Sequence, residues 1–259
     1  MLQVLYHPPS NDQLCEQLKA RGAIHSPSVV KAFKETDRAH FLSHAADTDL
    51  ELPDGEAYND LPLRQGVLHL SAPSIYGAAL EALELEEGLS FLNVGSGTGY
   101  LSSLAANILG PRSAQFGVEC RAELVEHARE KLDELGHTHV ELVHCNCFAL
   151  DPESSMRFER IYVGAGASQT TAAIIFRMVR HSELPRLLTT PPYGARPPPP
   201  LHVPYATFSE TPDMSSYGSL VSHPTHSSPN SACHLLAPPV PLRCPPLLLS
   251  PPCPPPRRP

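Results

Sequence analysis

A glycine-rich turn is the feature of this sequence whose residue types and spacing best suit binding chemistry. Gly95, Gly97 and Gly99 lie between an apolar run and a helical pattern, in the segment Asn-Val-Gly-Ser-Gly-Thr-Gly-Tyr that starts at Asn93. Glycine permits a sharp turn and lets a ligand approach the main chain where a Cβ atom would clash. The dinucleotide fingerprint requires glycines at its first, third and sixth positions, whereas the sixth position here is Tyr100. The spacing favours a nucleoside ligand without a pyrophosphate.

An acidic residue at the end of the next apolar run supports the same interpretation. Glu119 follows Gly95 by 24 residues. In folds built from alternating strands and helices, a carboxylate at this place can accept hydrogen bonds from both ribose hydroxyls. Glycines alone are also used in purely structural turns. The turn, the acid and the strand–helix–strand context together favour a bound nucleoside, of which S-adenosylmethionine is the obvious example.

Cys145 and Cys147, which lie beside His144, are the residues that could form a metal or redox site. One residue separates the two cysteines, whereas zinc and redox sites use the Cys-x-x-Cys spacing, and the sequence has no second pair. We interpret both as core or loop cysteines and predict no metal.

The elements that must position the turn and the acid alternate between strand and helix patterns. Short apolar runs predict strands at Leu89–Val94, Gln115–Glu119, Val140–Cys145 and Arg160–Val163. Apolar periodicity and end signals predict helices at Asn11–Arg21, Ser28–Thr36, Pro73–Glu87, Tyr100–Leu109, Ala122–Leu135 and Gln169–His181. Four glutamates are interpreted as a charged helix face: Glu81, Glu84, Glu86 and Glu87. The alternation predicts an α/β fold with a doubly wound, mostly parallel sheet.

Composition divides the chain near residue 184. Residues 1–184 contain eight of the 30 prolines and a net charge of −11, whereas residues 185–259 contain 22 prolines and a net charge of +3. Proline removes a backbone donor and fixes φ, so it excludes helices and central strands. We expect residues 185–259 to be extended, partly polyproline II and mostly disordered. This tail is either a ligand for proline-binding modules or a solvated segment without partners, and we favour the second.

Charge and hydropathy exclude several classes of function. The overall net charge of −8 argues against nucleic-acid binding through neutralised phosphates. No apolar run reaches the roughly 18–20 residues that a membrane helix needs, and the N-terminus lacks the pattern of a signal peptide. Seven scattered cysteines indicate a reducing compartment rather than a disulfide framework. We therefore expect a cytoplasmic protein.

From about Asn11 to Ala167 the chain resembles the protein-L-isoaspartate O-methyltransferases. The matching segments are Thr36-Asp37-Arg38 with Phe41, Tyr58–Leu63, Leu70–Pro73, Asn93–Leu101, Gly117–Glu119 and Ile161–Ala165. The Leu-Ser-Ala-Pro element is the specific one, because many methyltransferases share the glycine turn. The resemblance implies methyl transfer from S-adenosylmethionine to the carboxylate of isoaspartyl residues, which starts the repair of aged proteins. Peptides or proteins that contain isoaspartate are then the expected partners.

The resemblance also implies roles for individual residues. Ser71 matches the serine at the substrate site, although a serine before Ala-Pro also suits a helix cap. The cofactor turn corresponds to Asn93, Gly95, Ser96, Gly97 and Gly99, with Asn93 in place of the usual aspartate. Glu119 matches the acid that binds the ribose, and Asn146 stands where the family has an acid near the adenine. On this basis residues 1–70 form a helical part and residues 71–184 the cofactor-binding core.

Departures from the family leave two alternatives open. His69 replaces a threonine, and Ser74-Ile75-Tyr76 differs from the usual segment. Both are closer to relatives named for their isoaspartate methyltransferase domain, which are thought to serve as substrate adaptors of cullin ubiquitin ligases. The family continues beyond Ser168 with a Lys-Pro-Gly-Gly turn and three closing strands, whereas this chain enters its proline-rich tail. We therefore expect the C-terminal strands to be missing, through an altered 3′ reading of the gene. One alternative to the enzyme is a non-catalytic substrate adaptor of a ubiquitin ligase that still binds the cofactor. The other is an inactive truncated form.

Overall fold

Five helices and seven strands form the part of the chain that the structure describes. The computed structural model describes residues 9–42, 55–149, 156–165, 175, 177–180 and 186–189. The helices are α1 (Asn11–Ala20), α2 (Pro27–Glu35), α3 (Pro73–Leu83), α4 (Tyr100–Leu109) and α5 (Ala122–Glu134). The strands are β1 (Leu63–Gln65), β2 (Leu68–Leu70), β3 (Phe91–Val94), β4 (Gln115–Glu119), β5 (Val140–His144), β6 (Arg160–Val163) and β7 (Arg186–Thr189). None of these helices is long and apolar enough to cross a membrane.

The central sheet confirms the predicted α/β class and its parallel pairing. Its strand order is β5-β4-β3-β6-β7, and every neighbouring pair is parallel. The chain runs outward from β3 to β5 and then returns to the other side of β3 with β6. Ligands of open α/β sheets bind at the carboxyl ends of the strands where the order reverses in this way. The topology therefore places a site after β3, between the ends of β4 and β6.

Alternating side chains bury both faces of the sheet. Tyr162 and Leu188 belong to a core with residues of α1 to α4, whereas Leu92 and Ile161 belong to a second core on the opposite face. Successive residues of a strand point to opposite faces, so a short apolar run can fill both cores. This is why the strands read as continuous apolar runs rather than as alternating patterns.

The fifth strand of the sheet corrects the predicted start of the tail. The sequence assigned residues 185–259 to an extended tail, but Arg186–Thr189 pairs in parallel with Arg160–Val163 and buries Leu188 in the core. One strand beyond β6 is therefore present where we expected none. Residues 190–259 lie outside the described part, so the predicted disorder of the tail remains a prediction. So does most of the helix predicted at Gln169–His181, although Val179 forms a bridge with Phe158 rather than a helical turn.

The third helix also ends earlier than its apolar pattern indicates. It stops at Leu83, and Glu84 adopts a left-handed conformation with φ of 46°. The buried guanidinium of Arg160 donates from Nε to the Leu83 carbonyl at 2.6 Å and from Nη2 to the Glu84 carbonyl at 3.5 Å. These bonds satisfy carbonyl groups that the end of a helix leaves without partners. An arginine far along the chain therefore caps the helix at Leu83, four residues before the predicted end at Glu87.

Glu81 has a different role from the charged face assigned to it. Its carboxylate accepts hydrogen bonds from the backbone N–H groups of His25 and Ser26, at 2.6 and 2.9 Å, and from the Ser26 hydroxyl. Ser26 is the N-cap of α2 and makes no side-chain capping bond of its own. Glu81 on α3 therefore caps α2 and fastens the two helices together. Burial raises its pKa, but the hydrogen bonds outweigh burial, and the net pKa lies below its ordinary value.

Glu81→Gln should lower the free energy of unfolding by roughly 1–3 kcal/mol at pH 7, because hydrogen bonds to a carboxylate are stronger than those to an amide. The folded pKa is depressed, so this stabilisation is complete above the unfolded pKa of about 4.3 and is lost as the pH falls through the folded value. Urea unfolding at pH 7 and at progressively lower pH measures the effect. Glu86→Gln changes an exposed glutamate in the same way and should have almost no effect. An equal loss in both variants at pH 7 would contradict the capping role.

Candidate functional site

The glycine turn lies directly after β3 and has the backbone geometry for which glycine is needed. Gly95, Gly97 and Gly99 have φ values of 82°, 54° and 88°. A Cβ atom on Gly95 would lie 2.9 Å from the Ala165 side chain, so the turn packs tightly against the end of β6. A Cβ atom on Gly97 would instead have only the His69 carbonyl oxygen within 4 Å, at 3.9 Å. The turn is closed on one side and open on the other.

The carboxylate of Glu119 joins the end of β4 to this turn. Its Oε2 accepts a hydrogen bond from the Gly97 N–H at 3.1 Å, and its Oε1 accepts from Cys120 and Arg121 N–H groups at 2.9 and 3.2 Å. The side chain is almost fully buried. The Cys120 thiol also donates to Oε1, at 3.4 Å, so Oε1 accepts three bonds, whereas Oε2 accepts one and keeps capacity for a hydroxyl of a ligand. The predicted pairing of the turn with the strand-end acid is present in the fold.

A cavity of about 190 Å³ opens beside the turn. Six residues predicted for the site line this cavity: Ser71, Asn93, Gly95, Ser96, Gly97 and Glu119. Six of the eight predicted site residues therefore line one cavity, and their roles remain predictions. Gly99 is the N-cap of α4 and packs toward Ala128 instead.

Asn146 is the second candidate outside the cavity lining. It follows β5, and its side chain is exposed. The register pairs Glu119 with His144, so Asn146 lies two residues beyond the residue that pairs with Glu119. Its predicted contact with an adenine ring remains a prediction.

Three buried polar atoms of residues that line the cavity have no hydrogen-bond partner among the described residues. They are the Asn93 Oδ1, the Ser96 Oγ and the Tyr100 hydroxyl. Asn93 is held by its other atom, because Nδ2 donates to the Ser102 hydroxyl at 3.0 Å. A buried polar group without a partner costs free energy, so these atoms indicate a space that receives polar groups of a ligand. The polar wall, the open side of Gly97 and the Glu119 carboxylate together suit a nucleoside with a charged substituent.

Ser71 also lines the cavity, in the link between β2 and α3. Its N–H donates to the Tyr76 hydroxyl at 2.9 Å, and its side chain also forms a hydrogen bond with Tyr76. The N-cap of α3 is Ala72, and Asp60 accepts from the Ser74 N–H at 2.9 Å in place of a local cap. The capping alternative for Ser71 is therefore wrong.

Arg38 is the residue of this region whose role the sequence did not show. It is fully buried, and its guanidinium donates to four carbonyl oxygens at 2.8 to 3.1 Å, those of Ala57, Asn59, Leu61 and Ser71. Burial lowers its pKa below the ordinary value. Arg38 thus fixes the backbone of Ser71 to the loop that precedes β1. The Asp-Arg pair was visible in the sequence, but its partners lie 19 to 33 residues away.

Comparisons with known proteins agree with this geometry. The family model described as "Protein-L-isoaspartate(D-aspartate) O-methyltransferase" matches residues 9–180. The chain is 32% identical over 162 residues to the protein-L-isoaspartate O-methyltransferase of Methanothermobacter thermautotrophicus, with 60% of this chain and 68% of the relative covered. It is 32% identical over 160 residues to that of Methanococcus maripaludis, with 61% and 72% covered. The fold matches a candidate protein-L-isoaspartate O-methyltransferase of Plasmodium falciparum that was solved with S-adenosyl-L-homocysteine. The TM-score is 0.59 and the identity 24%, and the match covers 71% of this chain and 86% of that one.

Proposed function

The chain belongs to the protein-L-isoaspartate(D-aspartate) O-methyltransferase family, and from this membership we propose that it methylates the carboxylate of L-isoaspartyl residues in damaged proteins, with S-adenosylmethionine as the methyl donor. The observation that carries this proposal is the shared cavity. Residues of the glycine turn, Glu119 and Ser71 all line it. The residues that we propose for the methyl donor and for the acceptor are thus adjacent in one space.

The residues present fit the methyl donor. Glu119 would accept hydrogen bonds from ribose hydroxyls, and the main chain at Gly95, Ser96 and Gly97 would lie against the ligand where no side chain intervenes. The unpaired Asn93 Oδ1 would accept from a cationic substituent. Asn146 would contact the adenine, and Gly99 would set the start of α4. When bound, S-adenosylmethionine supplies a methyl group that is already activated by its sulfonium.

The acceptor carboxylate is ionised near neutral pH, so the chain needs no general base to activate it. Its task is to hold the two reactants in line, which can be worth up to roughly 7–11 kcal/mol of the barrier. We assign this task to Ser71, whose hydroxyl would donate a hydrogen bond to the carboxylate and orient it. Tyr76 fixes the Ser71 N–H and Arg38 fixes its carbonyl group, so the hydroxyl is presented from a rigid backbone.

Transfer of label tests the proposed activity. The full chain is incubated with methyl-labelled S-adenosylmethionine and either an isoaspartyl peptide or the same peptide with ordinary aspartate. We expect a base-labile methyl ester on the isoaspartyl peptide only. Calorimetric binding of the cofactor without transfer to this peptide would contradict the activity, and absence of both would contradict the site.

We also propose a reducing, cytoplasmic location. None of the described cysteines, Cys15, Cys120, Cys145 and Cys147, forms a disulfide with another described residue. Burial, the largest effect, raises the pKa of Cys15 to about 11, so this thiol is protonated and unreactive at neutral pH. Cysteines without disulfides at buried and exposed positions are typical of proteins in a reducing compartment.

Gly97→Ala should weaken binding of S-adenosylmethionine at least about tenfold, because the added methyl group would stand on the open side of the turn. The left-handed backbone adds a strain of only about 1 kcal/mol, so the fold should survive. Gly136→Ala is the matched control, since Gly136 has φ of 77° and nothing within 4 Å of its Cβ position. Calorimetry and thermal unfolding of both variants give the result. Unchanged affinity in Gly97→Ala would show that the ligand does not approach the turn.

A further inference from the structure

The β1–β2 hairpin presents two basic side chains on its outer face. Leu63, Leu68 and Leu70 are buried in the core, whereas Arg64 and His69 are exposed. The antiparallel register places Arg64 directly opposite His69. Side chains of such a pair lie on the same face with their Cβ atoms about 4.5–5.5 Å apart. The hairpin therefore brings an arginine and a histidine together.

One member of this pair belongs to the described cavity. His69 lines the cavity together with Ser71, two residues along the chain, and Arg64 lies opposite His69 in the hairpin. The His69 carbonyl oxygen lies 3.9 Å from the Cβ position of Gly97. A substrate whose carboxylate reaches Ser71 would therefore lie close to the hairpin. The groups that face His69 are Arg64 and Arg38, and burial together with these two cations lowers its pKa while a hydrogen bond to the Leu63 backbone raises it.

Arg64 has no carboxylate partner among the described residues. Carboxylates of the neighbouring segments are already engaged. Asp60 accepts from the Ser74 N–H and pairs with Arg21, and Glu119 accepts from three backbone N–H groups. Residues 1–184 have a net charge of −11, so an acidic peptide is repelled by most of this domain. An unneutralised cation at the entrance offsets that repulsion at one place.

We propose that Arg64 and His69 form a subsite for an acidic side chain adjacent to the isoaspartyl residue of the substrate, a proposal that rests on the proposed methyl transfer. The reacting carboxylate suits Arg64 and His69 less well than a flanking carboxylate does. Its negative charge disappears as the methyl ester forms, so a cation against it would stabilise the reactant more than the transition state. A flanking carboxylate keeps its charge throughout the reaction. The pair should therefore improve binding of the substrate, with its effect in KM.

Peptides that differ in one flanking charge test the subsite. The full chain is assayed with isoaspartyl peptides that carry either glutamate or glutamine at one flanking position. Four positions are tested in turn, the two before and the two after the isoaspartate. We expect at least one glutamate position to raise kcat/KM about three- to fivefold over glutamine, a size typical of a partly exposed ion pair. The effect should lie in KM and should decrease with added salt.

Variants assign the preference to the hairpin. Arg64→Gln should remove most of the glutamate-to-glutamine ratio, and Arg64→Glu should reverse it in favour of lysine at the same position. His69→Thr should reduce it. Arg112→Gln removes an exposed arginine that pairs with Glu87, and should keep the wild-type ratio. A wild-type ratio of one at all four positions, or an unchanged ratio in Arg64→Glu, would overturn the subsite while leaving the methyl transfer intact. Failure of every isoaspartyl peptide to accept the label would instead overturn the proposed function.

Discussion

Replacing Ser71 by alanine is expected to lower the rate of methyl transfer to an isoaspartyl peptide by about 100-fold, while the affinity for S-adenosylmethionine stays within about twofold. Ser71 lines the cavity, and its replacement removes one side-chain hydrogen bond with Tyr76 but keeps the bond from the Ser71 N–H to the Tyr76 hydroxyl. Glu119 and Gly97 belong to other elements and keep their mutual hydrogen bond. Initial rates with labelled cofactor measure the loss, and calorimetry measures the affinity.

A second serine in the same region provides the control for this prediction. Ser74→Ala makes the same chemical change three residues further on, where the Asp60 carboxylate binds the backbone N–H rather than the side chain. It should retain nearly full activity. An equal loss in both variants would assign the effect to the start of α3, and loss of cofactor binding in Ser71→Ala would contradict a role confined to the acceptor.

The glycine turn and its acid could be predicted from the sequence because both depend on local backbone geometry. Three glycines with positive φ are visible as residues, and Glu119 is placed by the rule that parallel strands end at one edge of a sheet. The exact bounds of β3 could not be predicted. The predicted strand starts at Leu89, but the Ser90 N–H donates to the Glu159 carboxylate at 2.6 Å, and the strand begins at Phe91. A partner 69 residues away decides that boundary.

Features fixed by distant partners were the ones missed. Arg186–Thr189 is too short to show a period and lies among prolines, so only its pairing with β6 identifies it as a strand. Glu81 has the composition of a surface residue, and its role depends on the start of α2. Ser71 shows the reverse case. Its local pattern suits a cap, but the resemblance to known methyltransferases identified it as a site residue, and its position in the cavity supports that choice.

Arg38→Met is expected to lower the free energy of unfolding by about 3–4 kcal/mol, because four carbonyl groups lose a charged donor and part of this region is sealed from water. In a domain of this size, that change corresponds to a fall in the melting temperature of roughly 10 °C. Arg129→Met is the matched control, since Arg129 is exposed and donates to one carbonyl, that of Leu142. It should cost less than about 1 kcal/mol.

Activity separates the structural role of Arg38 from its effect on the site. Arg38 binds the Ser71 carbonyl, so Arg38→Met assayed well below its melting temperature should also lower kcat, with unchanged cofactor affinity. Arg38→Lys keeps the charge but lacks the planar fork, and a single ammonium group cannot reach carbonyls on two sides at once. It should therefore recover less than half of the lost stability and little of the kcat. Full recovery by lysine would mean that the charge alone matters, and that Ser71 is positioned by Tyr76 without the guanidinium.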